Sequence, residues 1–157
     1  MFIKQLESFF ESHGTITDCG NNSPVLLEGK DNLWYIKSGG ADVFSVMKRG
    51  DGFAGQRTFL FSAKEGDLIP GVDSENSFSS RAFLAVGNIS TQLIKISFDN
   101  FLDFLKSIQN SVSSTKSLAS LIDRWILNIT SGVARDTSLF DNYELRPSNS
   151  SIIETVS

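Results

Sequence analysis

The sequence predicts a mainly β domain: a jelly roll or β-roll of about eight short antiparallel strands, with a short helix before them and two helices after. Three observations predict it. Apolar residues recur at helical spacing near both ends of the chain, but not from residue 15 to 97. There, short apolar and β-branched runs take over. Turn signals separate them: "GNNSP" at 20–24, "EGKDN" at 28–32, "SGG" at 38–40, "RGDG" at 49–52, "KEGD" at 64–67 and "VGN" at 86–88.

Taken in order, Phe2, Leu6, Phe9 and Phe10 place one apolar face on a helix over residues 2–12, which Gly14 can end. The strand-like runs are "PVLL", "LWYIK", "ADVFSVM", "QRTFLFSA", "RAFLAV" and "STQLIKIS". Period-two alternation puts Trp34 and Ile36 on one face, and likewise Phe44 and Val46. "KRGDGFAG" reads as a hairpin tip, because Asp-Gly suits a tight turn. Ser97 is placed to cap a helix whose stripe is Phe98, Phe101, Leu102, Leu105 and Ile108. After the polar break "QNSVSSTKS", Leu118, Leu121, Ile122, Trp125, Ile126 and Ile129 form a second stripe over residues 115–131, with Gly132 expected at its end. The expected organisation is a roll with flanking helices over 1–108, a C-terminal helix over 109–132 and a polar tail or linker over 133–157.

A chain of 157 residues with 40% hydrophobic and 20% charged residues is long enough for one domain with a buried core. The net charge of −4, with no basic cluster longer than Lys48-Arg49, argues against nucleic acid as a partner. A single cysteine, Cys19, excludes an internal disulfide framework and reads as a packing residue of a reducing compartment. The first helix carries Glu7 and Glu11 and lacks the apolar core of a signal peptide. No stretch approaches the roughly 18 apolar residues of a membrane span, so a cytoplasmic chain is expected, with no direct membrane insertion by this segment.

Catalytic readings are poor. The only histidine, His13, falls at a helix end, outside the strands, which leaves no ligand set for a metal centre and no base for a nucleophilic triad. There is no phosphate-cradling Gly-x-x-x-x-Gly-Lys loop. Asp99 and Asp103, four apart, read as dipole compensation near a helix start. No catalytic residue, metal or cofactor is expected.

Three stretches carry a family resemblance: "LWYIKSGGADVFSV", "KEGDLIPGV" and "SSRAFLAVGNISTQLIKISFDNF". Over roughly residues 5–108 the chain resembles the cyclic-nucleotide-binding-like domain, a β-roll with helices at each end. It is similar above all to one branch, the N-terminal domain of the ABC exporters of NHLM-type bacteriocin, or modified-peptide, export systems. "GNNSPVLL", "NLWYIKSGGADVF", "GQRTFLFSAKEGDLIPG" and "LASLIDRWILNIT" carry that closer likeness. In that family the transmembrane and ATPase parts lie further along the chain.

The resemblance implies a phosphate-binding cassette between "KEGDLIPG" and "SSRAF". Gly71 matches the cassette glycine, and Arg81 and Ala82 match its arginine-alanine pair. Val72 stands where binding members have a glutamate for the ribose hydroxyl, and "DSENSFSS" is polar and acidic where they have small apolar residues. Asp73 and Glu75 oppose a phosphate, and either is the expected ion-pair partner of Arg81. The cassette therefore reads as degenerate.

What remains is apolar surface. Phe53 and Phe78 lie in glycine- and serine-rich turns, where they either fold over the core or face a partner. The stripe of Leu118, Leu121, Ile122, Trp125 and Ile129 either packs on the roll or meets another chain. The resemblance implies a noncatalytic accessory domain of a peptide exporter. Its partners would be the transporter's membrane and ATPase domains, in the same or a separate chain, a precursor or leader peptide, or a second copy through the C-terminal helices. The alternative is a sensor of a cyclic nucleotide or other small anion, held beside Gly71, Arg81 and Ala82.

Overall fold

The computed structural model describes residues 1–50, 52–73, 81–108 and 112–135. Helix α1 (Phe2–His13) precedes eight strands: β1 (Thr15–Cys19), β2 (Val25–Leu26), β3 (Asn32–Ser38), β4 (Gly40–Arg49), β5 (Gly52–Lys64), β6 (Leu68–Pro70), β7 (Arg81–Gly87) and β8 (Thr91–Ser97). Helices α2 (Phe98–Ser107) and α3 (Val112–Arg135) follow. The strands form two four-stranded antiparallel sheets, ordered β1-β8-β3-β6 and β2-β7-β4-β5. This is the expected β-roll. Of the strand pairs, only β4–β5 joins neighbours in sequence, and it closes as a hairpin with Arg49 opposite Gly52.

Two apolar layers hold the roll together. Trp34 and Ile36 from β3, Val43 from β4, Leu60 from β5, Ile69 from β6, Ala85 from β7 and Leu93 from β8 meet between the sheets. Leu33 and Tyr35, on the opposite face of β3, join Ile94 and Ile96 of β8 under the helices. Strand β3 thus buries both faces, which is why its apolar run is continuous. Phe2, Leu6 and Phe10 of α1 fill the helical layer, with Phe10 set 5.2 Å from Tyr35 and 6.0 Å from Phe101, ring to ring.

Ser97 caps α2 as expected, its Oγ accepting from the Asn100 N–H at 3.2 Å. The stripe of α2 is displaced from the sequence reading. Phe101 and Phe104 are buried, whereas Phe98 and Leu102 are exposed, because Phe104 packs at a tilt against Phe2 and Phe9 of α1. Helix α3 is also longer than expected. It starts at Val112, ahead of the expected 115, where Ser117 Oγ returns a hydrogen bond to the Ser113 carbonyl, and it runs through Gly132 to Arg135. Gly132 is not an end signal: a Cβ there would collide with the Leu60 carbonyl, so the glycine lets α3 lie directly on β5.

Candidate functional site

The cassette implied by the sequence starts where β6 ends. Its first residues are tied to the start of β3 and to the loop before it: the Gly71 N–H donates to the Asn32 carbonyl at 2.8 Å, and the Val72 N–H to the Leu27 carbonyl at 3.0 Å. A Cβ at Gly71 would strike the Gly29 carbonyl, so close backbone approach requires the glycine. Residues 74–80, with Glu75 and Phe78, lie outside the described residues.

Arg81 opens β7, opposite Met47, and Ala82 is buried opposite Val46 in a small apolar cluster with Leu84. The Arg81 side chain is half-buried and turns onto β4, where Nη1 donates to Ser45 Oγ at 3.3 Å. Ser45 is only 1% exposed. Among the described residues this is the hydrogen bond of the Arg81 side chain, and the expected ion pair with Asp73 does not form. A guanidinium offers five donors, and one long bond to a neutral hydroxyl leaves most of its capacity for an anion. Sequence reasoning missed Ser45, which no motif marks, because only the β4–β7 register brings the two together.

Beside the cassette lies a cleft of about 510 Å³, lined among others by Glu28, Lys30, Trp34, Lys48, Asp73 and Lys95. Lys48 Nζ pairs with Glu28 Oε1 at 2.8 Å, and Lys95 Nζ stands 5.7 Å from the centre of the Trp34 ring. Lysines and carboxylates balance across this cleft, so it carries no strong preference for one sign of ligand charge.

Six of the seven expected interaction residues lie within the described residues, and these six do not converge on one surface. Phe53 is exposed on β5 near the hairpin tip. Leu118 and Leu121 pack into the helical layer, and Ile129 packs against the layer between the sheets. Trp125 is half-buried, and Ile122 is exposed, facing outward with Ile126 and Leu127.

The remaining candidates serve packing or solvation. Cys19 is buried and donates to the Ala85 carbonyl at 3.4 Å, and burial pushes its thiol pKa up, away from reactivity. His13 is exposed and stacks on Phe9 at 4.2 Å. Asp103 pairs with Lys106 at 3.0 Å on the surface. Among the described residues, no group of His, Cys, Asp or Glu could hold a metal ion, and no helix is long and apolar enough to cross a membrane.

No protein-family model matches the chain, and no curated protein matches it in sequence. Solved structures do match in shape. The c-di-GMP responsive global regulator CLP of Xanthomonas campestris superposes with a TM-score of 0.52 at 17% identity, over 84% of this chain and 63% of that one. The fold is the cyclic-nucleotide-binding-like β-roll. The reduced CO-sensing protein of R. rubrum matches this β-roll with a TM-score of 0.55 at 17% identity, over 87% of this chain and 55% of that one. The catabolite activator protein of Thermus thermophilus gives 0.50 at 17% identity, over 88% and 59%. The chain therefore spans little more than half the length of these neighbours.

Proposed function

We propose that this domain is a noncatalytic sensory module that takes up a small anion beside Arg81. The observation that carries the reading is the Arg81 guanidinium, half-buried at the mouth of β7 and held, among the described residues, by one long bond to Ser45. Proteins of the same fold include regulators described as c-di-GMP responsive and CO-sensing, so this roll serves ligands of different chemistry. Here Val72 offers no acceptor for a ribose hydroxyl, and its backbone is engaged by Leu27 and Gly29. The ligand is then an anion recognised through its charge more than through a sugar.

A thermal melt of the 157-residue chain against cyclic AMP, cyclic GMP and c-di-GMP tests this. Ligand at 100 times its dissociation constant adds about 2.7 kcal/mol. That corresponds to a rise on the order of 5–10 °C for a domain of this size. The rise should vanish in Arg81→Ala; a rise that survives this change, or flat melts with all three nucleotides, would remove the reading.

The exporter reading rests on the sequence resemblance together with two exposed apolar residues, Phe53 and Ile122. In that reading the module meets the transporter's membrane and ATPase domains, a leader peptide or a second copy. Crosslinking from Phe53 and Ile122 that captures none of them would count against it.

A further inference from the structure

The turn Lys64–Asp67 joins β5 to β6, and β6 runs directly into Gly71 at the start of the cassette. Asp67 closes that turn, its Oδ2 accepting from the Lys64 N–H at 2.9 Å, and it is only 5% exposed. Its Oδ1 lies 2.7 Å from Arg124 Nε, in the middle of α3. These two buried atoms make a close charge contact and not an aligned hydrogen bond. Arg124 Nη2 also donates to the Gly66 carbonyl at 3.3 Å. Among the described residues this is the one ion pair between α3 and the roll.

The rest of the seat under the distal half of α3 is thin. Ile122, Ile126 and Leu127 face outward, with 46%, 46% and 64% of their surface exposed. Toward the roll stand Trp125, half-buried with its Nε1–H lacking any partner, the partly buried Ile129, and Gly132 on Leu60. A buried indole N–H without an acceptor is a standing cost of this docked position, one that exposure to water would relieve.

We infer that the Asp67–Arg124 pair is a latch that fastens the distal half of α3 to the turn feeding the cassette, so that this helix can leave the roll while the roll stays folded. Removing Arg124 leaves the buried Asp67 carboxylate without a counter-charge, removing Asp67 takes away the ion-pair partner of Arg124, and the few apolar contacts left do not hold the helix. The latch deepens the sensor reading and rests on it for its input. A ligand that moves β6 and Gly71 also moves Asp67, and α3 is the element that responds.

Amide hydrogen exchange on the full chain tests the latch without any ligand. In Arg124→Gln and in Asp67→Asn, amides over residues 121–132 should exchange about tenfold faster or more, while those of β3 and β8 stay within about twofold of the parent. The double variant should be no faster than the faster single one, because both changes break the same contact. Unchanged protection in α3, equal acceleration in β3 and β8, or additive single effects would each overturn the latch. A second arm adds cyclic AMP or c-di-GMP. Exchange in α3 should respond in the parent and not in Arg124→Gln; an equal response in both would break the coupling. Absence of any melting shift with these nucleotides strikes the sensor reading instead, and the ligand-free arm still decides the latch.

Discussion

Arg81 and Arg124 carry the same guanidinium into opposite surroundings. Arg124 meets a carboxylate that is itself buried, and a backbone carbonyl beside it, so its charge is matched inside the protein. Among the described residues, Arg81 meets a single buried hydroxyl at a distance where the bond is weak. One arginine is committed to holding two elements together, and the other keeps its charge available. The difference teaches that a half-buried cation becomes a candidate site through what its neighbours leave unsatisfied, more than through its presence in a motif.

The comparison breaks most visibly at Arg124. Arg124→Ala leaves the Asp67 carboxylate buried without a counter-charge and should lower the free energy that holds α3 on the roll by about 3 kcal/mol, read from amide exchange over residues 121–132, toward the low end for a buried pair because Arg124 is partly exposed. A cost below about 1 kcal/mol would make this an ordinary surface pair. The alkaline limb of the stability profile sharpens the same point. Burial, with Glu7, Glu65 and Glu11 adding to it, pushes the pKa of Tyr35 up to about 12 from an ordinary 10.0, while Arg124 pulls it down. The unfolded chain releases this proton first, so stability should be whole below pH 10 and fall as pH rises toward 12, by an amount on the order of 2 kcal/mol. Tyr35→Phe should flatten that fall, and loss of Arg124 should move it to still higher pH.

A smaller effect is expected at Gly132. Alanine gains about 1 kcal/mol in helix propensity, but its Cβ meets the Leu60 carbonyl, and overpacking of this kind costs about 1–3 kcal/mol. Gly132→Ala should therefore be destabilising by roughly 1 kcal/mol and should loosen α3 in limited proteolysis. A stabilised variant would show that α3 does not lie on β5. The smallest change in stability belongs to Arg81→Ala, within about 0.5 kcal/mol, because one weak bond among the described residues is lost. Its effect should appear in ligand response alone, and a large stability loss would mean that Arg81 is a structural residue after all.

Much of the frame was legible before any coordinates. The apolar face of α1, the Ser97 cap and the Arg49–Gly52 hairpin all appear as expected, because each depends on residues within a few positions of one another. The burial of Phe104 in place of Phe98, and the reach of α3 past Gly132, were not legible. Each is decided by a partner from another element: Phe2 and Phe9 in one case, Leu60 in the other.

The candidate site divides along the same line. Sequence by itself determined that the chain alternates short strands with turns between two helical ends, and its family resemblance brought Gly71, Arg81 and Ala82 forward as the candidate site. Tertiary structure decided what those residues do. Pairing β7 with β4 sets Arg81 against Ser45, and laying α3 over the β5–β6 turn sets Arg124 against Asp67. Periodicity and turn chemistry act over a few residues and can be read from the chain. Charge pairing acts over a few ångströms, between groups that only the closed roll makes neighbours.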